Sequence, residues 1–228
     1  MAENHFKESE ETWNIIAKSF DNTRKKPWQE VVEFISKLSS SDVVADIGCG
    51  NGRHLALCSE KCKTIIGLDI SRNLLKITQK KLEGKKQNAL FIHGNLANIP
   101  LKNEVVDAIL YIAALHNIKG QKNRIFSLKE VKRTLKTDGR ALISVWSRDQ
   151  ERLRDCFNNA SSNDCELGDM QIYWRQNKLN VPRFYHLYTK EEFIKDIKQS
   201  GLDIEQIFKA RIQSQTYSDN YFAIVRKG

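Results

Sequence analysis

The sequence predicts an α/β fold in which a mostly parallel sheet carries helices on both faces and an antiparallel pair of strands closes it. Three observations carry that expectation. Short apolar runs alternate with stretches of helical periodicity from Val43 to Trp146. A glycine-rich turn, Asp46-Ile-Gly-Cys-Gly-Asn-Gly52, lies directly between the first strand and the next helix. After the last helix, two further runs, Ile204–Arg211 and Tyr221–Arg226, read as a closing strand pair.

In chain order, Trp13, Ile16 and Phe20 recur at roughly helical spacing and predict an N-terminal amphipathic helix. A basic linker, Asn22 to Lys26, and Pro27 separate it from a second helix over Trp28–Leu38. Strands follow at Val43–Ile47, Thr64–Leu68, Ala89–His93, Val106–Tyr111 and Ala141–Trp146. Between them fall helices opening at Gly52–Ser59, over Arg72–Leu82 with Ser71 as N-cap, and over Ile125–Leu135, which ends at the Asp138-Gly139 turn signal. Arg148 to Tyr185 breaks the rhythm: it is polar, rich in Asn and Ser, poor in apolar periodicity, and reads as a partly mobile insertion. A helix over Lys190–Gln199, capped by Thr189, restores the pattern. The chain is expected to form one domain, 1–228, with N-terminal helices at 10–38 and a substrate-side insertion at about 148–186.

Composition narrows the class. A hydrophobic fraction of 40% with 29% charged residues suits a globular protein, and the sequence contains no 18-residue apolar run. The N-terminus is polar and acidic without the apolar core of a secretion signal. Five cysteines, an odd number without framework spacing, read as reduced thiols and suggest a cytoplasmic protein. Cys58 and Cys62 lie four apart, yet no second pair completes a zinc site, so no metal is expected. The net charge of +9 fits either simple solubility or a polyanionic partner.

The glycine turn is the main chemical signal. Glycines allow backbone to approach a ligand closely, and a helix N-terminus offers free N–H groups. The spacing here is G-x-G-x-G at Gly48, Gly50 and Gly52, not the G-x-G-x-x-G of a dinucleotide site. It points to S-adenosyl-L-methionine (SAM), which has no pyrophosphate but carries an amino acid and a sulfonium. Asp46 is then expected to attract the ammonium group, and Asp69 with Ile70, at the end of the second strand, to face the ribose hydroxyls. Asn95 with Leu96, after the third strand, is expected to face the adenine. With this cofactor the fold expectation becomes the Rossmann-like class I SAM methyltransferase.

Three further segments carry a resemblance. Phe20-Asp-Asn-Thr-Arg-Lys-Lys-Pro-Trp28, Ile112-Ala-Ala-Leu-His-Asn117 and Arg183-Phe-Tyr-His-Leu-Tyr188 resemble the tRNA wobble-uridine carboxyl methyltransferases, the family of the methyltransferase domain of the AlkB-like tRNA hydroxylase. With the glycine turn, the resemblance covers most of the chain. It implies esterification of the carboxylate of 5-carboxymethyluridine at the tRNA wobble position. It also implies a heterodimer with a small zinc-binding activator protein. Two departures stand out: the family usually has a second His where Asn117 stands, and Asp where Asn95 stands. The insertion is also shorter than in several relatives.

An acceptor carboxylate is ionised at neutral pH and needs no general base; it needs placement, a charged clamp and exclusion of water. Arg24 and Arg183 are the candidate clamps, because a guanidinium grips a carboxylate or phosphate bidentately. His116 is a candidate site residue at the carboxyl edge of the sheet or else a core histidine, and Trp146 either stacks on the uridine or caps the core. Tyr185, His186 and Tyr188 either contact substrate or pack the following helix. Two other readings remain at this point: a methyltransferase for a small molecule such as a quinone, lipid or carboxylic acid, and a non-catalytic subunit with the same fold. Finally, Leu90, Phe91 and Ile92 make the third strand apolar where a sheet edge is expected. An edge of that kind invites strand addition and gives the activator a docking site.

Overall fold

A computed structural model describes residues 2–85, 88–149, 166–212 and 219–228. The expected alternation is present. Helices α1 (Ala2–Thr23) and α2 (Gln29–Ser36) precede β1 (Val43–Ile47), α3 (Leu55–Lys61), β2 (Thr64–Asp69), α4 (Arg72–Leu82) and β3 (Asn88–His93). Then come β4 (Val106–Ile112), a 3-10 turn (Leu115–Asn117), α5 (Gln121–Thr134) and β5 (Leu135–Trp146). A hairpin of β6 (Asp169–Trp174) and β7 (Val181–His186), helix α6 (Lys190–Ser200), and strands β8 (Leu202–Ala210) and β9 (Asn220–Lys227) complete the order.

Seven strands form one sheet in the order β3-β2-β1-β4-β5-β9-β8. Strands β1 to β5 are parallel, and β9 runs antiparallel between β5 and β8. The strand order reverses between β1 and β4, so their carboxyl ends open a crevice. Both faces are covered, which is why the inner strands are apolar almost throughout rather than alternating. One face packs Ala45, Ile47 and Ile109 against Leu128 and Val131 of α5 and Phe193 and Ile197 of α6. The other packs Val44, Ile65 and Leu110 against Val31 and Phe34 of α2 and Leu55 of α3.

The glycine turn follows β1 and lies against its neighbours too tightly for side chains. Gly52 has φ +71°, and an added Cβ would stand 2.5 Å from Thr78 on α4. That left-handed residue delays the next helix, which begins at Leu55 and not at the glycine as the sequence suggested.

Three further boundaries differ from expectation. Helix α1 starts at Ala2, far ahead of its apolar repeat, because its polar face has tertiary partners. Asn14 accepts from Ser71 Oγ (2.8 Å) and from the Asn73 N–H (3.0 Å), clamping α1 across the start of α4. Strand β5 begins at Leu135 instead of Ala141, since Asp138, at φ +62°, is absorbed as an irregularity in the β4–β5 ladder rather than ending it. The stretch read as a partly mobile insertion contains a regular antiparallel hairpin over 169–186, paired from Asp169–His186 to Trp174–Val181; residues 150–165 lie outside the described residues. Its period-two pattern is hidden because the buried positions of β7 are Arg183, Tyr185 and His186, beside Trp174 of β6, and none is aliphatic.

The sheet edge is as expected: β3 is terminal, and Leu90 is 51% exposed while Phe91 packs inward beside Gly67. No helix among the described residues is long and apolar enough to cross a membrane. Because Gly52 combines positive φ with contact on Thr78, Gly52→Ala is expected to cost about 1–3 kcal/mol of stability. Urea denaturation of the two proteins checks this, and an unchanged midpoint contradicts it.

Candidate active site

A cavity of about 670 Å³ opens at the carboxyl ends of β1, β2 and β4, bounded by α1 on one side and the β6–β7 hairpin on the other. Gly48, Gly50, Asp69, Ile70, Asn95 and Leu96 line one half of it. Asp69 is buried, and its two oxygens accept from the Gly50 N–H (2.7 Å) and the Ser71 N–H (2.8 Å). Each oxygen retains a lone pair for a ribose hydroxyl. Burial raises its pKa to about 6 despite those bonds. Asn95 spends one lone pair of its side-chain oxygen on the Ala97 N–H (2.9 Å).

Two of the expected cofactor residues stand behind this lining. Gly52 is buried against Thr78 and does not reach the cavity. Asp46 is 1% exposed; its Oδ2 has no partner, and burial together with the nearby Asp69 raises its pKa to about 7, against the pull of Arg53. A buried carboxylate without a partner is costly unless a cation or donor reaches it. The residues therefore fit a ligand that brings cationic charge and a pair of hydroxyls, which SAM does.

The other half is aromatic and cationic. Tyr185 stacks on Trp146 (centroids 4.8 Å, 25°) and on His116 (5.1 Å, 28°), and all three line the cavity. Tyr185 thus already covers one face of Trp146. His116 Nδ1 accepts from the Trp146 N–H (3.0 Å), and burial lowers its pKa to about 3, so the ring is neutral with its proton on Nε2. Arg183 is 8% exposed; it donates to the Tyr185 hydroxyl and lies over Trp174 (5.0 Å), while its Nε has no partner. Arg24 lies over the same Trp174 (5.4 Å). Asn117, in place of the family's histidine, donates to the carbonyls of Ala113 and Ala114 and leaves its Oδ1 buried without a partner.

The structure does not bring His186 to the cavity. Its Nδ1 meets Asp169 (2.7 Å) and its Nε2 meets Glu192 (2.8 Å). Burial works to lower its pKa, but the two carboxylate bonds prevail and raise it. Tyr188 is likewise core, with its hydroxyl on Asp196. Glu166, Asp169 and His186 place ligand-type atoms within 4.8 Å of one another. Positive charge is already there, in Arg124, which is fully buried and 2.6 Å from Glu166. The cluster ties the hairpin to α5 and α6.

Sequence reading missed the residues that join the two halves. Asn51 donates to Asp21 Oδ1 and to the Arg24 carbonyl, both at 2.8 Å, so the Phe20–Trp28 segment holds the glycine turn directly. Trp174 donates to Ser19 Oγ (2.8 Å) and fixes the hairpin to α1. Arg53, immediately after the third glycine, also lines the cavity.

Residues 45–143 match the family described as "Methyltransferase domain". Over 141 residues the chain is 38% identical to a tRNA (carboxymethyluridine(34)-5-O)-methyltransferase of Mus musculus, covering 62% of this chain and 20% of that protein. The protein of the same name from Schizosaccharomyces pombe is 25% identical over 232 residues, covering 95% of each. The chain is a homologue of the tRNA (carboxymethyluridine(34)-5-O)-methyltransferases. It spans from 20% to 32% of the length of the animal and plant homologues. Among solved structures, a SAM-dependent methyltransferase from Methanosarcina mazei superposes with a TM-score of 0.74 at 18% identity, covering 89% of this chain and 98% of that one. A chain of the complex between the Haloferax volcanii Trm112 methyltransferase activator and a methyltransferase superposes with a TM-score of 0.70 at 13% identity, covering 96% of this chain and 97% of that one. The fold is therefore the Rossmann-like class I SAM methyltransferase fold.

The two raised carboxyl groups predict a pH dependence. A folded pKa above the unfolded value means the folded state holds more protons between about pH 4 and pH 7, so ligand-free stability falls as pH rises through that window. For Asp46, a rise from 3.8 to about 7 corresponds to up to about 4 kcal/mol. Asp46→Asn removes that titration, so the stability difference between variant and wild type should grow in the variant's favour from pH 4 to pH 7. Thermal denaturation across that range checks it, and a pH-independent difference contradicts it.

Proposed function

We propose that this chain transfers the methyl group of SAM to the carboxylate of 5-carboxymethyluridine at the wobble position of tRNA. The observation that carries the reading is the acceptor half of the cavity. It sets an aromatic stack beside Arg24 and Arg183, neither of which forms an ion pair with a carboxylate among the described residues. A base with an anionic substituent fits that pairing, whereas a neutral quinone leaves both guanidinium groups unmatched.

When bound, SAM supplies an electrophilic methyl group on a sulfonium. Asp69 and Asn95 hold the nucleoside end, and the unpartnered Asp46 offers its charge to the amino-acid end. Arg183 and Arg24 orient the acceptor carboxylate, which is already ionised and needs no base. Neutral His116 fits that requirement, since its Nε2–H can donate a hydrogen bond but takes no proton at pH 7. Helix α1 and the hairpin shield the centre from water. The net charge of +9 suits a polyanionic substrate.

The activator belongs to the same reading. The exposed β3 edge with Leu90 outward offers strand pairing and an apolar contact to a small zinc-binding protein, in a cytoplasmic heterodimer. Support comes from the likeness to a methyltransferase chain solved with its activator.

Two outcomes follow. With tRNA bearing 5-carboxymethyluridine and labelled SAM, Arg183→Gln should lower kcat/KM by about 30–100-fold, the scale of a lost charge-assisted pair, with SAM affinity nearly unchanged. Wild-type protein that methylates small acids but not this tRNA, with the activator present, sinks the assignment. Leu90→Glu should abolish co-purification with the activator while an exposed control, Phe126→Glu, preserves it. Retention of the complex by the Leu90 variant moves the docking surface elsewhere.

A further inference from the structure

The cavity holds a third arginine with no assigned role. Arg53 follows the glycine turn, lines the cavity, and lies with its guanidinium 4.9 Å from the centre of the Trp28 ring. Trp28 is itself fixed: its backbone N–H donates to His54 Nε2 (3.4 Å), and its ring meets Phe222 and His54 edge-on. Arg53 is therefore stacked in place by a rigid aromatic platform. No hydrogen bond or ion pair to a described residue engages its guanidinium. The nearby carboxylate does not account for it either, because Asp46 Oδ2 remains without a hydrogen-bond partner.

Arg53, Arg24 and Arg183 form a chain of like charges around one cavity. Burial lowers the pKa of both Arg24 and Arg53, the latter to about 10; the charge of Arg24 adds to this at Arg53, where Asp46 opposes it, and the charge of Arg183 adds to it at Arg24, where Tyr185 opposes it. Clustered, partly desolvated guanidinium groups are unfavourable by themselves, and among the described residues the only carboxylate acting on Arg53 is Asp46, at a distance too long for an ion pair. Arg183, nine-tenths buried, adds an Nε with no partner. A cavity built this way is completed by an anion, and its affinity depends on the charge of what enters.

We propose that Arg53 completes an arginine trio that acts as a charge filter, holding an acceptor nucleotide whose substituent is an ionised carboxylate and binding its neutral ester or amide counterparts weakly. This rests on the activity proposed above and adds what selects the substrate and frees the product. Esterification forms an O–CH₃ bond at the carboxylate and breaks the S–CH₃ bond of the donor, whose electron pair stays on sulfur. The carboxylate's negative charge and the sulfonium's positive charge both disappear. The three guanidinium groups are then left facing a neutral ester, which favours release, and an amide-bearing uridine never satisfies them.

Equilibrium binding tests this without turnover. The full chain, with its activator and saturated with S-adenosyl-L-homocysteine, is titrated with three anticodon stem-loops identical except for the wobble uridine substituent: carboxymethyl, its carbamoylmethyl amide, or its methyl ester. Phosphate contacts are common to all three and cancel in the ratios. The acid form should bind about tenfold or more tightly than either neutral form, the scale of one charge-assisted pair. Arg53→Gln should shrink that preference to within about threefold, leave the amide form and S-adenosyl-L-homocysteine affinities within about twofold, and be partly rescued by Arg53→Lys, which keeps the charge. Equal binding of acid and amide by the wild type overturns the filter. A preference that survives Arg53→Gln removes Arg53 from it, and a tenfold loss of S-adenosyl-L-homocysteine affinity with the preference intact reassigns Arg53 to the cofactor. The activity itself is judged separately by turnover on the acid-bearing stem-loop, so a failed filter and a failed activity are distinguishable.

Discussion

The Asp69 carboxylate sits where strand β2 ends, and one oxygen accepts from Gly50 while the other accepts from Ser71. With those two bonds a single side chain fixes the glycine turn after β1 and the entry of α4 after β2. Much of the site is referenced to this point. Thr78 on α4 donates to the Gly50 carbonyl and packs on Gly52, while Lys81 donates to the Asn51 carbonyl. Asn51 in turn grips Asp21 and the Arg24 carbonyl, so Arg24 on one side of the cavity is positioned, through a few bonds, by the Asp69 carboxylate on the other. Losing that carboxylate therefore disturbs the glycine turn and the entry of α4 together.

The acceptor half is held by a different device. Arg124, fully buried at the start of α5, pairs with Glu166 and approaches Glu192 and Asp196, while His186 bridges Asp169 and Glu192. These groups come from the hairpin, the segment before it, α5 and α6. They lock the hairpin onto the body from one side, and Trp174 with Ser19 locks it onto α1 from the other. His186, expected at the substrate, instead sits in this lock; its neighbours in sequence explain the confusion, because Tyr185, one position earlier, points the other way, into the cavity.

How much of this was legible in the sequence depended on what kind of force shapes each part. Strands β1 to β5 and their helices were readable because burial on both faces leaves plain apolar runs. The cofactor half was readable because close backbone approach demands glycines, and strand ends demand the carboxylates Asp46 and Asp69 at fixed spacing. The hairpin was not readable, since Trp174, Arg183 and Tyr185 do the packing there, and a cation between two aromatic residues leaves no aliphatic alternation to read. The length of α1 was not readable either, since Asn14 reaches across to α4 with nothing apolar to mark it. Arg53 lay one residue beyond the motif, where no spacing rule assigns a role.

The composition of the hairpin carries one more consequence. In most strands the residues that hold the fold and those that meet a ligand are different, so each set is free to vary. In β7 they coincide at two positions: Arg183 and Tyr185 are both buried and part of the cavity wall. A well-packed apolar side chain in place of Arg183 would spare the fold a buried charge with an orphaned nitrogen, and would remove the proposed clamp in the same stroke. Selection for thermal robustness and selection for turnover therefore pull on the same two positions in opposite directions, and a stabilised descendant of this protein that stays active has to find its gains elsewhere.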